Sequence, residues 1–93
     1  MGVVLIKIYD YEGKKNICGQ RLKDARLRKR LTQSQLAAKL QTEGILIERD
    51  SISRIEIGTR FVTDYELRAL SQILGVSLEY LLEMDTLHHQ PVF

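Results

Sequence analysis

With 93 residues, 44% of them hydrophobic and 28% charged, the chain has the composition of one small globular domain. No run approaches the roughly 18 apolar residues that a membrane-spanning helix needs. The net charge of +2 conceals an asymmetry: residues 1–40 carry ten Lys and Arg against three Asp and Glu, and residues 41–93 carry four against nine. Clustered cations are the electrostatic footprint of nucleic-acid binding, but a solvated basic face paired to the acidic half gives the same count.

The opening MGVVLIKIYDYEG has no basic lead and no small-residue cleavage site, so it does not read as a secretory signal. Residues 3–11, VVLIKIYDY, are β-branched and aromatic and are expected to form a strand. A lone strand leaves its backbone groups unsatisfied, so it pairs with a second copy of itself, adds to the sheet of a protein partner, or stays loose. Asn16 is a good cap for a helix over 17–30, with Ile17, Leu22, Ala25 and Leu27 as its apolar positions. The single cysteine, Cys18, allows no internal disulfide and fits a reducing cytoplasm. The sequence offers it no nearby base, since the histidines are His88 and His89, so it reads as a packed core residue.

Thr32-Gln33-Ser34-Gln35 has the form of a capping box and opens a helix whose face is Leu36, Ala37 and Leu40. Gly44 suits the position just past that helix. Ile47 and Ile52 stand five apart, the spacing of a hydrophobic staple with Glu48 at the N-cap, so the third helix is expected to run from Arg49 through Glu56 with Ile52 and Ile55 buried. A start at Asp50 competes with that reading, because glutamate caps poorly. Gly58 ends this helix. Thr63 or Asp64 caps a fourth, with Leu67, Leu70, Ile73 and Leu74 on one face and Gly75 as its stop. Ser77 caps a fifth, LEYLLEM, burying Leu78, Leu81 and Leu82. Residues 85–93 read as a flexible tail, in which adjacent His88 and His89 without further ligands do not make a metal site. No carboxylate pair, histidine constellation or glycine-rich phosphate loop points to an enzyme or a cofactor.

The segments G-x-R-L-K-x-x-R (19–26), LTQSQLAAKL (31–40), ISRIEIGTR (52–60) and EL-x-ALSQILGVSLEYLL (66–82) occur together and in this order. In that combination the chain resembles the phage-repressor (Cro/repressor-like, XRE) helix-turn-helix family over residues 17–82. The resemblance implies an all-α, compact five-helix lambda-repressor-like bundle over residues 16–84, here preceded by an extension, residues 1–15, with a short β-strand. The family usually joins its second and third helices by a short turn such as G-V-S. This chain carries about five extra residues between Leu40 and Ile52, read as one more helical turn plus a longer, partly buried connection in which Ile45, Leu46 and Ile47 are apolar.

Function is implied in the same way: a sequence-specific double-stranded DNA-binding transcriptional regulator, a repressor on a near-palindromic operator, acting as a homodimer in the cytoplasm. Its alternative is a protein-interaction module, such as an antitoxin whose residues 3–11 bind a partner protein. The expected DNA contacts are Thr32 and Gln33 at the start of the second helix, Arg49, Asp50, Ser51, Ser53 and Arg54 on the recognition helix, and Thr59 and Arg60 just beyond it. For Arg60 the competing role is a surface pair with Asp64. Arg26 and Glu56 are expected to form a structural ion pair between the first and third helices. Glu48 and Asp50 put carboxylates near a phosphate-lined groove and work against tight non-specific binding. No ligand-binding domain is expected after the bundle, and no metal or cofactor.

Overall fold

A computed structural model describes residues 11–85 of the chain. Five helices follow one another: α1 (Gly19–Arg28), α2 (Gln33–Thr42), α3 (Arg49–Ile57), α4 (Asp64–Leu74) and α5 (Leu78–Leu81). Among the described residues there is no strand; the expected strand over 3–11 lies outside them except for Tyr11. That residue exchanges backbone hydrogen bonds with Lys14 (2.8 and 2.9 Å) across a turn whose central residues, Glu12 and Gly13, both have positive φ. Two such residues in succession make the tight turn that joins paired strands.

Three helices are capped by the side chain of their own N-cap residue. The Thr32 hydroxyl accepts from the Gln35 N–H, and the Gln35 side chain accepts from the Thr32 N–H. Thr63 and Glu66 make the same reciprocal pair at α4, which settles the cap there on Thr63 rather than Asp64. Ser77 caps α5 through the Tyr80 N–H. At α3 the N-cap is Glu48, with no side-chain bond; Ile47 and Ile52, 1% and 0% exposed, hold the entry instead, so the helix starts at Arg49.

Every helix ends in one way. A residue enters the left-handed region and the next N–H reaches back five positions: Leu31 to the Arg26 carbonyl, Ile45 to Leu40, Thr59 to Arg54, Val76 to Ser71 and Met84 to Glu79. The left-handed residues are Arg30, Gly44, Gly58, Gly75 and Glu83. This arrangement satisfies carbonyls that a helix end otherwise leaves unpaired.

The core is one cluster drawn from all five helices and the turn before α3, including Leu22, Leu36, Leu40, Ile47, Ile52, Ile55, Leu70, Leu74 and Leu81. Some expected core positions are not in it. Ile17 precedes α1 instead of lying within it and is exposed. Leu27 follows the buried face Leu22, Ala25 and Arg26 by a further rotation of about 100° per residue and projects outward. Leu78, first residue of the single-turn α5, is 41% exposed. At α1, Gly19 is buried so tightly against the end of α3 that a Cβ there would stand 2.8 Å from the Glu56 carbonyl oxygen and closer still to that of Ile55.

Candidate nucleic-acid interface

The interface begins with the connection between α2 and α3. Residues 43–48 form it, and they fold back on the domain. Gly44, at φ 83°, reverses the chain, and the Gln41 side chain donates to the Ile47 carbonyl at 3.0 Å. Ile47 is buried and Ile45 partly buried, whereas Leu46 is 90% exposed at the tip, so the connection is less covered than its run of three apolar residues suggests. The lengthening is thus absorbed by two further residues on α2 and a tied turn, and α3 still packs against both α1 and α2.

With Ile52 and Ile55 inward, α3 turns Arg49, Asp50 and Arg54 to solvent, and Ser51 and Ser53 are half-buried beside them. Arg49 Nη2 donates to Asp50 Oδ1 at 2.8 Å, both side chains being largely exposed. Arg54 forms no ion pair with another described residue. Glu48, at the head of the helix, is exposed.

Behind this face lies a polar network. Arg26 Nε and Nη2 donate to the two oxygens of Glu56 at 2.6 and 3.1 Å, and Arg26 Nη1 donates to the Leu31 carbonyl at 2.8 Å. Both side chains are more than nine-tenths buried. Gln33, at the start of α2, donates its amide N–H to Glu56 Oε1 at 3.0 Å. One carboxylate therefore fixes the beginning of α2 and the end of α1 relative to α3. The N-terminal turn of α2 presents its unpaired backbone N–H groups in the same region, with Thr32 as cap.

Beyond α3, the Thr59 hydroxyl and N–H both donate to the Arg54 carbonyl. Arg60 does not pair with Asp64. It makes two bonds to Glu66, 3.0 and 3.1 Å, and one to the Phe61 carbonyl. Burial raises the Glu66 pKa, but Arg60 and the Thr63 N–H outweigh it, leaving the carboxyl below its ordinary value. Glu66 held this way closes the loop between α3 and α4. The sequence shows Glu66 only as the first residue of the segment 66–82; the structure makes it half of the α4 capping box and, 5% exposed, the partner of Arg60.

Asn16 is the other residue whose part exceeds its sequence signal. Its Oδ1 accepts from the Gly19 N–H at 2.9 Å, while its Nδ2 donates to the carbonyls of Ile55 (3.1 Å) and Arg60 (2.8 Å). It joins the start of α1 to the end of the candidate recognition helix. Part of the basic half is used internally. Arg21 bonds Asp85 and the Tyr80 carbonyl, and Arg21 and Arg28 lie 4.6 and 5.2 Å from the Tyr80 ring. The charge asymmetry is therefore partly an internal pairing, of Arg21 on α1 with Asp85 beyond α5 and of Arg26 with Glu56 on α3. Cys18, 2% exposed, has its thiol pushed up to about 11 by burial and is inert at neutral pH.

Among the described residues no group of acidic, cysteine and histidine side chains could hold a metal ion, and no helix is long and apolar enough to cross a membrane. His88 and His89 lie outside the described residues. Residues 18–83 match a protein family described as a helix-turn-helix domain. No curated protein and no solved structure matches the chain.

Proposed function

Because the chain belongs to the helix-turn-helix domain family, a family of DNA-binding domains, we propose that it is a sequence-specific, double-stranded DNA-binding transcriptional regulator of the phage-repressor (XRE) kind. It acts as a repressor in the cytoplasm, binding a near-palindromic operator as a homodimer. The observation that carries this reading is the split face of α3. Ile52 and Ile55 anchor the helix, while Arg49, Asp50 and Arg54 are left to solvent at and after its N-terminus.

A recognition helix in the major groove offers its N-terminal residues to base edges. Arg49 and Arg54 each have the fork of donors that matches guanine O6 and N7, and Asp50 can accept from cytosine N4. Ser51 and Ser53 supply hydroxyls beside them. Gln33 keeps a second amide proton for a phosphate oxygen after its bond to Glu56, and the free N–H groups and dipole of α2, capped by Thr32, favour the same anion. Thr59 and Arg60 address the phosphate backbone from the far end of α3. Arg60 still has its Nε proton and one Nη2 proton after bonding Glu66 and Phe61. Arg26 and Glu56 do not touch DNA; they hold the angle between helices on which these contacts depend. In a homodimer, half-sites stand about 34–36 Å apart, or at multiples of that spacing.

Selection from a random duplex library tests this, with an Arg49→Ala/Arg54→Ala variant as control. Enrichment of a two-fold-symmetric motif, lost in the variant, is expected. A folded wild-type protein that enriches nothing overturns the proposal.

A further inference from the structure

Asp50 lies four positions before Arg54, in the order and spacing at which a carboxylate and a guanidinium on a helix ordinarily pair. It does not make that pair. Its Oδ1 accepts instead from Nη2 of Arg49 at 2.8 Å, although adjacent helical residues project about 100° apart and do not normally face each other. The side chains are 58% and 67% exposed, and a pair so placed adds little to stability. Its consequence is geometric. A guanidinium has five N–H donors in a rigid plane, so one bond to Asp50 biases the orientation of that plane and still leaves a two-donor edge. The bond also leaves Arg54 outside the carboxylate's hold.

We infer that Asp50 is a positioning residue that holds Arg49 as a preset fork for one guanine and thereby sets base preference at that position. The inference rests on α3 being the DNA-reading helix. An unpaired arginine on a solvent-exposed turn samples many rotamers and pays to order one on binding; the bond to Asp50 shifts Arg49 toward one of them beforehand and lowers that cost. The carboxylate also acts by repulsion. It faces a groove rich in acceptors and bordered by phosphates, where it is tolerated only if a neighbouring base presents a donor, such as cytosine N4 or adenine N6. Affinity is given up and discrimination gained, which is how specificity is commonly built. Arg54, without such a partner, is left to serve affinity more than selectivity.

The test compares wild type with Asp50→Ala, Asp50→Asn and Arg49→Ala. Equilibrium competition at one salt concentration uses the half-site recovered by wild-type selection, the four base pairs at each of its positions, and random duplex. Asp50→Ala is expected to lower guanine preference at one position about tenfold while binding random duplex as tightly as wild type or more so. Arg49→Ala abolishes preference at that same position, and Asp50→Asn, which keeps an acceptor oxygen, recovers part of it. Unchanged preference in Asp50→Ala, or a uniform loss of affinity on every duplex, overturns the inference while leaving the DNA-reading role of α3 intact. A wild-type protein with no preference among duplexes overturns both.

Discussion

Replacing Gly19 by alanine adds one methyl group where α1 meets the end of α3. The backbone of Gly19 is ordinary for a helix, so the effect is steric. The new Cβ would lie 2.8 Å from the Glu56 carbonyl oxygen and 3.1 Å from its carbon, and both are backbone atoms that cannot rotate away. The Ile55 carbonyl oxygen would be closer still, so ordinary contact requires α1 to withdraw by about 1 Å there. That movement loosens the core between α1 and α3, to which Leu22 and Ile55 both belong, and stretches the bonds from Asn16 to Ile55 and from Arg26 to Glu56. Overpacking against a rigid neighbour costs about 1–3 kcal/mol, and weakening a buried ion pair adds to it. The opposing gain from alanine's helix propensity is at most about 1 kcal/mol. A net loss of about 2 kcal/mol follows, a large share of a small domain's stability. In a domain of this size that lowers Tm by about 8–16 °C. Urea denaturation followed by circular dichroism measures it. Gly44→Ala is the control: open space surrounds that position, but φ is 83°, so it pays backbone strain alone, about 1 kcal/mol. If Gly19→Ala is as stable as wild type, or more stable, the close approach of α1 to α3 is wrong.

Arg30 adopts a left-handed conformation, φ 58°, at the end of α1, so Arg30→Gly is expected to gain about 0.5–1 kcal/mol in the same denaturation assay. Glu56→Gln leaves the buried Arg26 guanidinium without its counter-charge; a loss of about 3 kcal/mol is expected, read as a fall in Tm. Cys18 supplies a pH dependence. Its thiol is pushed up from 9.0 to about 11 in the folded chain, so its contribution is complete below about pH 9 and is lost as pH rises toward 11. Comparing wild type with Cys18→Ala across that window isolates it, since the alanine variant lacks this part of the alkaline slope.

Much of the fold is legible where a local rule and the global packing agree. Thr32 with Gln35 announces α2 by hydroxyl and side chain at fixed spacing, and that box forms; at α4 the sequence leaves Thr63 and Asp64 as alternative caps, and Glu66 completes the box with Thr63. Ile47 and Ile52 set the start of α3 despite the poor cap at Glu48, and the inward pair Ile52 and Ile55 follows from helical period alone. Gly44, Gly58 and Gly75 mark three helix ends. The other two ends, at Arg30 and Glu83, use the same left-handed geometry without glycine, and no residue type signals them. Contacts distant in sequence are equally silent. Nothing local to Asn16 tells that its amide bonds the carbonyls of Ile55 and Arg60, or that Arg21 and Arg28 flank Tyr80. Ile17, Leu27 and Leu46 show the converse: apolar character alone does not place a side chain inside, because their positions relative to the helices decide it.

For the candidate interface, the residues of α3 are readable from its register, whereas their partners are not. That Gln33 would bond Glu56, that Asp50 would hold Arg49 rather than Arg54, and that Arg60 would turn to Glu66 depend on side-chain geometry across elements.

The most direct test of α3 as a DNA-reading helix is an amide chemical-shift titration of the folded protein with duplex DNA at low salt. The largest shifts are expected at Gln33 and across Arg49–Arg54, with a second set near Thr59 and Arg60. Shifts confined to residues 11–17 and Leu78–Asp85, with α3 unmoved, would contradict that assignment.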